Sequence, residues 1–192
     1  MNNSITIVSG LPRSGTSLMM KMLVNAGLSP VIDNFRKADE DNQGGYFEYE
    51  KVKQLGKNSS WLEKTRGKLI KIISFYLNNL PDNLKFRVVF MERNIDEILA
   101  SQKKMLIRRG HTSNSSEDEE MKSIFTEHLL EIKSSIINKT NIELIYVNYN
   151  LLVTNPISEI DKINKFFKHK LDKNKLLEVI DLNQYRNRIN GQ

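Results

Sequence analysis

Between Gly10 and Ser17 the chain reads Gly10-Leu11-Pro12-Arg13-Ser14-Gly15-Thr16-Ser17, a set of residues suited to holding a phosphate. The two glycines stand where the pattern G-x-x-x-x-G-K-[ST] puts them, and Ser17 fills its closing hydroxyl position. Thr16 replaces the lysine that reaches the β- and γ-phosphates in nucleotide triphosphatases, which argues against ordinary γ-phosphate chemistry. The anion-binding backbone survives that change, because N–H groups at the start of the following helix and the positive end of its dipole favour an anion without a lysine. Arg13 supplies a cation inside the loop. The plain alternative is a glycine-rich turn ahead of an amphipathic helix.

A second candidate anion site follows the apolar run Phe86–Met91, where Glu92 and Arg93 stand at a strand end. A hydrolytic P-loop enzyme commonly carries an aspartate there to hold Mg²⁺. Ser101 comes eight residues after Arg93, roughly two helical turns on. An arginine fork suits a phosphate dianion and a hydroxyl completes the site, although an arginine is more commonly a surface ion-pair partner. Asn94 reads as the cap of the intervening helix, with Glu97 completing a capping-box-like pair.

The elements that must position these residues alternate between strand and helix. Ile5–Gly10 reads as a buried strand, and Thr16–Ala26 as a helix whose Leu18, Met19, Met22 and Leu23 pack inward, with Gly27 at its end. From Leu28 to Gly45 the pattern breaks into an acidic, irregular segment containing Asp33, Glu40 and Asp41. A short helix is expected from Tyr46 to about Leu55, a linker around Trp61, a strand over Lys68–Ser74, and a third strand over Phe86–Met91. A helix from Ser116 to about Asn138, a strand over Ile142–Val147, and helices over Ile157–Lys168 and Leu171–Ile180 complete the chain. The acidic run Glu117–Glu120 matches a helix dipole better than a metal site, and neither His111 nor His128 has a second histidine at ligand spacing. The alternation predicts a three-layer α/β domain of P-loop type, with a mainly parallel sheet, spanning residues 1–192.

Composition narrows the partners. The 192 residues carry a net charge of +6 and contain no cysteine, so disulfides and cysteine-ligated metals are excluded. The positive balance favours anionic ligands, but the lysines are scattered without an aromatic-interleaved basic stripe, which argues against nucleic acid. No apolar run is long enough to span a membrane and no leader pattern opens the chain, so a cytoplasmic location is expected. Nothing in the composition decides the oligomeric state.

The segment P-R-S-G-T-S resembles the 5′-phosphosulfate loop P-[KR]-S-G-T-[TS] of sulfotransferases that use 3′-phosphoadenosine 5′-phosphosulfate. Three further stretches resemble the same family in the same order: Ile70-Lys71 with the later Leu80-Pro81, Arg93-Asn94 with Glu97 and Ser101, and Tyr149 through Asn155-Pro156. The resemblance extends from Ile5 to about Phe167, and G-Y-F-E and S-W-L-E are closest to compact bacterial members.

The resemblance implies sulfuryl transfer to a hydroxyl or amine, with adenosine 3′,5′-bisphosphate as product and no metal required. It implies that Gly10, Pro12, Arg13, Ser14, Gly15, Thr16 and Ser17 hold the phosphosulfate, and that Arg13 and Lys71 stabilise the leaving phosphate. Arg93 and Ser101 would grip the 3′-phosphate, and Tyr149 would lie near the adenine. Arg186 and Arg188 would belong either to a loose tail over residues 181–192 or to a basic flap over the nucleotide. The family's histidine base is replaced by Ile73, which cannot accept a proton. Asp33 takes that role by loop position, with Glu40, Asp41 and Glu48 as alternatives. The acceptor, a small molecule, glycan or lipid, is left open. A Mg²⁺-dependent kinase or triphosphatase and a non-catalytic nucleotide-binding module of the same fold are the competing readings.

Overall fold

Every residue of Ile5–Gly10 is buried, as befits a strand covered on both faces. This strand, β1, joins β2 (Leu69–Lys71), β3 (Phe86–Glu92) and β4 (Ile142–Asn148) in a parallel sheet ordered β2-β1-β3-β4. The helices are α1 (Thr16–Asn25), α2 (Ile95–Arg108), α3 (Ser115–Ile137), α4 (Tyr149–Thr154), α5 (Pro156–Phe166) and α6 (Lys173–Leu177). The structure is a computed structural model that describes residues 3–33, 45–108, 110 and 115–180.

Strand alternation sorts the core into two layers. Ile5, Ile7, Ile70, Phe86, Val88 and Phe90 face Ile132 and Ile136 of α3 and Leu77 of a 3₁₀ turn at Ser74–Asn79. Val8, Leu69, Val89, Met91 and Val147 face the methionines of α1, together with Ile160 and Ile163 of α5 and Leu176 of α6. A third small cluster, Leu11, Ile98 and Phe125, joins the loop after β1 to α2 and α3. The fold is therefore α/β with helices on both faces of a parallel sheet, as the alternation of elements predicts. From β1 the chain crosses to β2 on one side, whereas β3 lies on the other. This reversal makes a topological switch point at the carboxyl ends of β1 and β3, the position where open α/β sheets hold ligands.

Several elements differ from their sequence patterns. The β-branched run over Lys68–Ser74 yields a strand of only three residues, Leu69–Lys71. Ile72 still donates its N–H to Val8 O at 3.0 Å, but Ile73 then caps the Ser74–Asn79 turn, and Ile72 and Leu77 are buried beneath α3. Packing there outranks strand propensity. The expected helix from Tyr46 is a single 3₁₀ turn at Glu50–Gln54, and Trp61 lies in another at Ser60–Thr65, donating its indole N–H to Asn58 O at 3.0 Å. The helix expected over Leu171–Ile180 is the shorter α6, whose Asp172 side chain accepts from the N–H groups of Asn174 and Lys175. The short α4 is capped by the Asn148 side chain and stops at Asn155, ahead of the proline that opens α5. Outside β2, Pro30 forms a parallel bridge with Leu69, held by Leu69 N–H to Ser29 O at 2.9 Å and Val31 N–H to Leu69 O at 2.7 Å. Among the described residues no helix is long and apolar enough to cross a membrane.

His128 has a packing role, tying α3 to the Ser74–Asn79 turn. Its Nε2 lies 2.9 Å from Ser74 Oγ, and its ring stacks on Phe75 with centroids 4.0 Å apart. Burial pushes the imidazole below its ordinary value, with the charge of Glu131 pulling weakly the other way. The unfolded chain therefore takes up this proton at higher pH than the folded one. The neutral ring stabilises the fold fully above the ordinary histidine value of about 6.5, and that stability is lost as pH falls below it. Urea denaturation at pH 5.5 and 7.5 is expected to give His128→Gln a smaller loss of midpoint on acidification than wild type; an equal loss would contradict the assignment.

Candidate functional site

The loop between β1 and α1 has a backbone that only glycine tolerates at two places. Gly10 has φ +139°, and a Cβ there would meet Ser14 Oγ at 2.5 Å and the Met91 carbonyl at 2.6 Å. Gly15, at φ +97°, caps α1, and a Cβ there would lie 2.2 Å from Cδ2 of Tyr149. Arg13 adopts φ +70° despite its side chain. A non-glycine residue there costs about 1–3 kcal/mol and persists only where its surroundings hold it. Left-handed residues at 13 and 15, set against the start of α1, curl the backbone into a concavity of the kind that accepts anions. Thr16 and Ser14 are buried, while Pro12 and Ser17 are half-buried. The hydroxyls of Ser9 and Ser14 are buried without a hydrogen-bond partner among the described residues.

Arg13 is held from two sides. Its Nε donates to Ser101 Oγ at 2.9 Å, across to α2, and its carbonyl accepts from Arg93 Nη1 at 3.0 Å. The glycine loop and the Arg93/Ser101 pair thus share one surface, although 80 residues of chain separate Arg13 from Arg93. Arg93 follows directly on β3, and its side chain is only 6% exposed. Its Nε donates to Glu97 Oε2 at 2.9 Å, and its guanidinium carbon lies 4.4 Å from the centroid of the Tyr149 ring. Tyr149 is itself buried, packed between the loop at Gly15 and the Arg93 guanidinium.

Glu97 departs from its capping-box expectation. Asn94 does cap α2, its Oδ1 accepting from the N–H groups of Asp96 at 2.9 Å and Glu97 at 3.4 Å. The carboxylate of Glu97, 4% exposed, instead accepts from Arg93 and, through Oε1, from Asn150 Nδ2 at 2.9 Å. An unpaired buried guanidinium costs more than an unclosed capping box, so the ion pair wins. The i,i+4 spacing of Arg93 and Glu97 was the available signal for this pair, whereas nothing local points to Asn150.

A second group gathers where the irregular segment meets the end of β2. Lys71, in register with Val8, is buried, and its Nζ donates to the Tyr46 carbonyl and lies 3.8 Å from Glu48 Oε1. Asp33 stands on the same stretch: its N–H donates to Glu48 O at 3.1 Å, and its Oδ2 accepts the N–H of Glu50 at 2.6 Å. Glu48 is thus brought beside Lys71, Asp33 is tied to the backbone of Glu48 and Glu50, and Tyr46 is a partner of Lys71 that sequence patterns miss. Glu40, Asp41, Arg186 and Arg188 lie outside the described residues. Among the described residues no group of three or more histidine, aspartate or glutamate side chains is arranged to hold a metal ion.

An anion cradle after β1, an arginine and a serine brought against it from β3 and α2, and a lysine at the end of β2 therefore occupy the carboxyl edge of one parallel sheet. No curated protein matches the chain. Residues 4–188 match the sulfotransferase domain family, and with nearly all of the 192 residues covered, the chain belongs to that family of sulfuryl-transferring proteins.

Proposed function

We propose that the protein transfers a sulfuryl group from 3′-phosphoadenosine 5′-phosphosulfate to a hydroxyl or amine of a small-molecule, glycan or lipid acceptor, releasing adenosine 3′,5′-bisphosphate. The observation that carries this reading is the pair of contacts at Arg13, which brings Ser101 and Arg93 against the glycine loop. One nucleotide bearing phosphates on both its 3′ and 5′ positions is the ligand that uses both places. The chain fits such a group: the left-handed backbone at Arg13 and Gly15 turns the loop onto the start of α1, and the buried Ser14 hydroxyl has no hydrogen-bond partner among the described residues.

When bound, the donor contributes an activated sulfuryl group. Gly10, Pro12, Ser14, Gly15, Thr16 and Ser17 hold its 5′ end, with α1 aimed at the charge. Arg93 and Ser101 take the 3′-phosphate, a dianion that suits an arginine fork and a hydroxyl donor. Tyr149, buried beneath the loop, acts chiefly as the surface against which Gly15 and Arg93 are held. As the acceptor oxygen bonds to sulfur and the sulfur–oxygen bond to the 5′-phosphate breaks, Arg13 and Lys71 stabilise the charge left on that phosphate.

The proton lost by the acceptor needs a base, and geometry favours Glu48 over Asp33. Glu48 stands beside Lys71, whereas the Asp33 carboxylate is used to cap the turn at Glu50–Gln54. Removing a general base typically lowers turnover by about 10²–10⁴-fold. Glu48→Gln is therefore expected to lose kcat on that scale with little change in nucleotide affinity, and Asp33→Asn much less. The opposite ranking, measured with labelled donor, returns the role to Asp33.

The reading as a whole is tested by calorimetric titration. Wild-type protein is expected to hold adenosine 3′,5′-bisphosphate more tightly than adenosine 5′-phosphate, with or without a chelator. Arg93→Ala should weaken the bisphosphate by at least about tenfold, the ~1.5–3 kcal/mol of hydrogen bonds to a charged group, and spare the monophosphate. An equal loss for both nucleotides removes Arg93 from the 3′-phosphate site, and a strict requirement for Mg²⁺ and ATP would replace the reading with a kinase.

A further inference from the structure

Resting on that reading, we infer that Glu97 and Asn150 are positioning residues that set the plane of the Arg93 guanidinium and so determine how strongly the site prefers a nucleotide with a 3′-phosphate. An arginine side chain alone is poorly fixed, because its long stem has many rotamers. Here the guanidinium is held at Nε by Glu97 Oε2 at 2.9 Å, at Nη1 by the Arg13 carbonyl at 3.0 Å, and on its face by Tyr149. Glu97 is in turn held by Asn150 Nδ2 at 2.9 Å from Oε1, so its carboxylate bridges Asn150 and the guanidinium. The amide of Asn150 also reaches the N–H of Asn94, 3.4 Å from its Oδ1, at the start of α2. The relay thus runs from α4 through a buried carboxylate to the arginine.

Two features of this chain support a role beyond stability. A carboxylate next to a phosphate site is electrostatically unfavourable for the ligand, so its presence needs a compensating function, and holding a planar donor in one orientation is one. Residue 150 is an amide rather than an acid. A carboxylate at that position has no N–H to give to Glu97, so the amide makes the relay possible in this chain.

Nucleotide binding separates positioning from mere structure, because adenosine 5′-phosphate lacks the group that Arg93 is proposed to meet. Glu97→Ala is expected to weaken adenosine 3′,5′-bisphosphate tenfold or more and to change adenosine 5′-phosphate less than twofold. Glu97→Gln, which keeps an acceptor for Arg93 Nε but not one for Asn150 Nδ2, should lose less affinity than Glu97→Ala. Asn150→Ala should weaken the bisphosphate severalfold, and that loss should vanish in the Glu97→Ala background, since both changes break one relay. Asn150 is only half-buried, so its variant tests the relay even where Glu97→Ala fails to fold. Parallel losses for both nucleotides, or bisphosphate binding that tightens when the carboxylate is removed, would overturn the assignment while the functional reading stands. A wild-type protein that does not distinguish the two nucleotides would overturn both.

Discussion

Much of the described site depends on the backbone of Arg13. Its left-handed conformation is unfavourable for a residue with a side chain, yet it lets the carbonyl turn toward Arg93 while the side chain reaches Ser101. A relaxed conformation would point one of these groups elsewhere and separate the loop from α2. The strain is sustained because the neighbouring residues are themselves fixed: Leu11 is buried with Ile98 and Phe125, and Ser14 N–H donates to Leu11 O at 3.1 Å. The loop is thus anchored at the point where chain segments far apart in sequence meet.

A second constraint is steric. Gly15, Tyr149 and Arg93 form a stack in which an unsubstituted backbone, an aromatic ring and a guanidinium lie in contact. Each comes from a different connection at the carboxyl edge of the sheet, so the stack links the starts of α1 and α4 to the end of β3. Stacking of a guanidinium on a ring suits arginine rather than lysine, whose compact ammonium lacks a planar face. The polar contacts of Glu97 and Asn150 are added around this stack, and together they account for the near-complete burial of two opposite charges.

What sequence alone reveals is whatever depends on neighbours along the chain. The glycine spacing around Arg13, the eight residues from Arg93 to Ser101 and the apolar runs of β1 and β3 are local and can be read from the chain. The length of β2 cannot, because what ends it is the burial of Ile72 and Leu77 under α3, more than 50 residues further on. The same limit applies to the surroundings of Asp33 and Glu48. Asp33 falls in the irregular segment and Glu48 at the start of an expected helix, and no local pattern shows that Glu48 meets Lys71 while Asp33 accepts the N–H of Glu50. Glu97 differs from its local pattern for another reason: two local roles compete for one carboxylate, and burial decides between them.

The parallel bridge of Pro30 to Leu69 also bears on how the molecule behaves in company. An outer strand normally offers a row of unmet backbone groups on which another chain can build, and that invites self-association. Here β2 presents only three residues, and its Leu69 amide and carbonyl are already taken by Ser29 and Val31. Proline at the bridge brings no N–H of its own to recruit a further strand. The segment leading away from α1 thus shields that margin of the sheet against templated aggregation, as well as tying Asp33 to the backbone of Glu48.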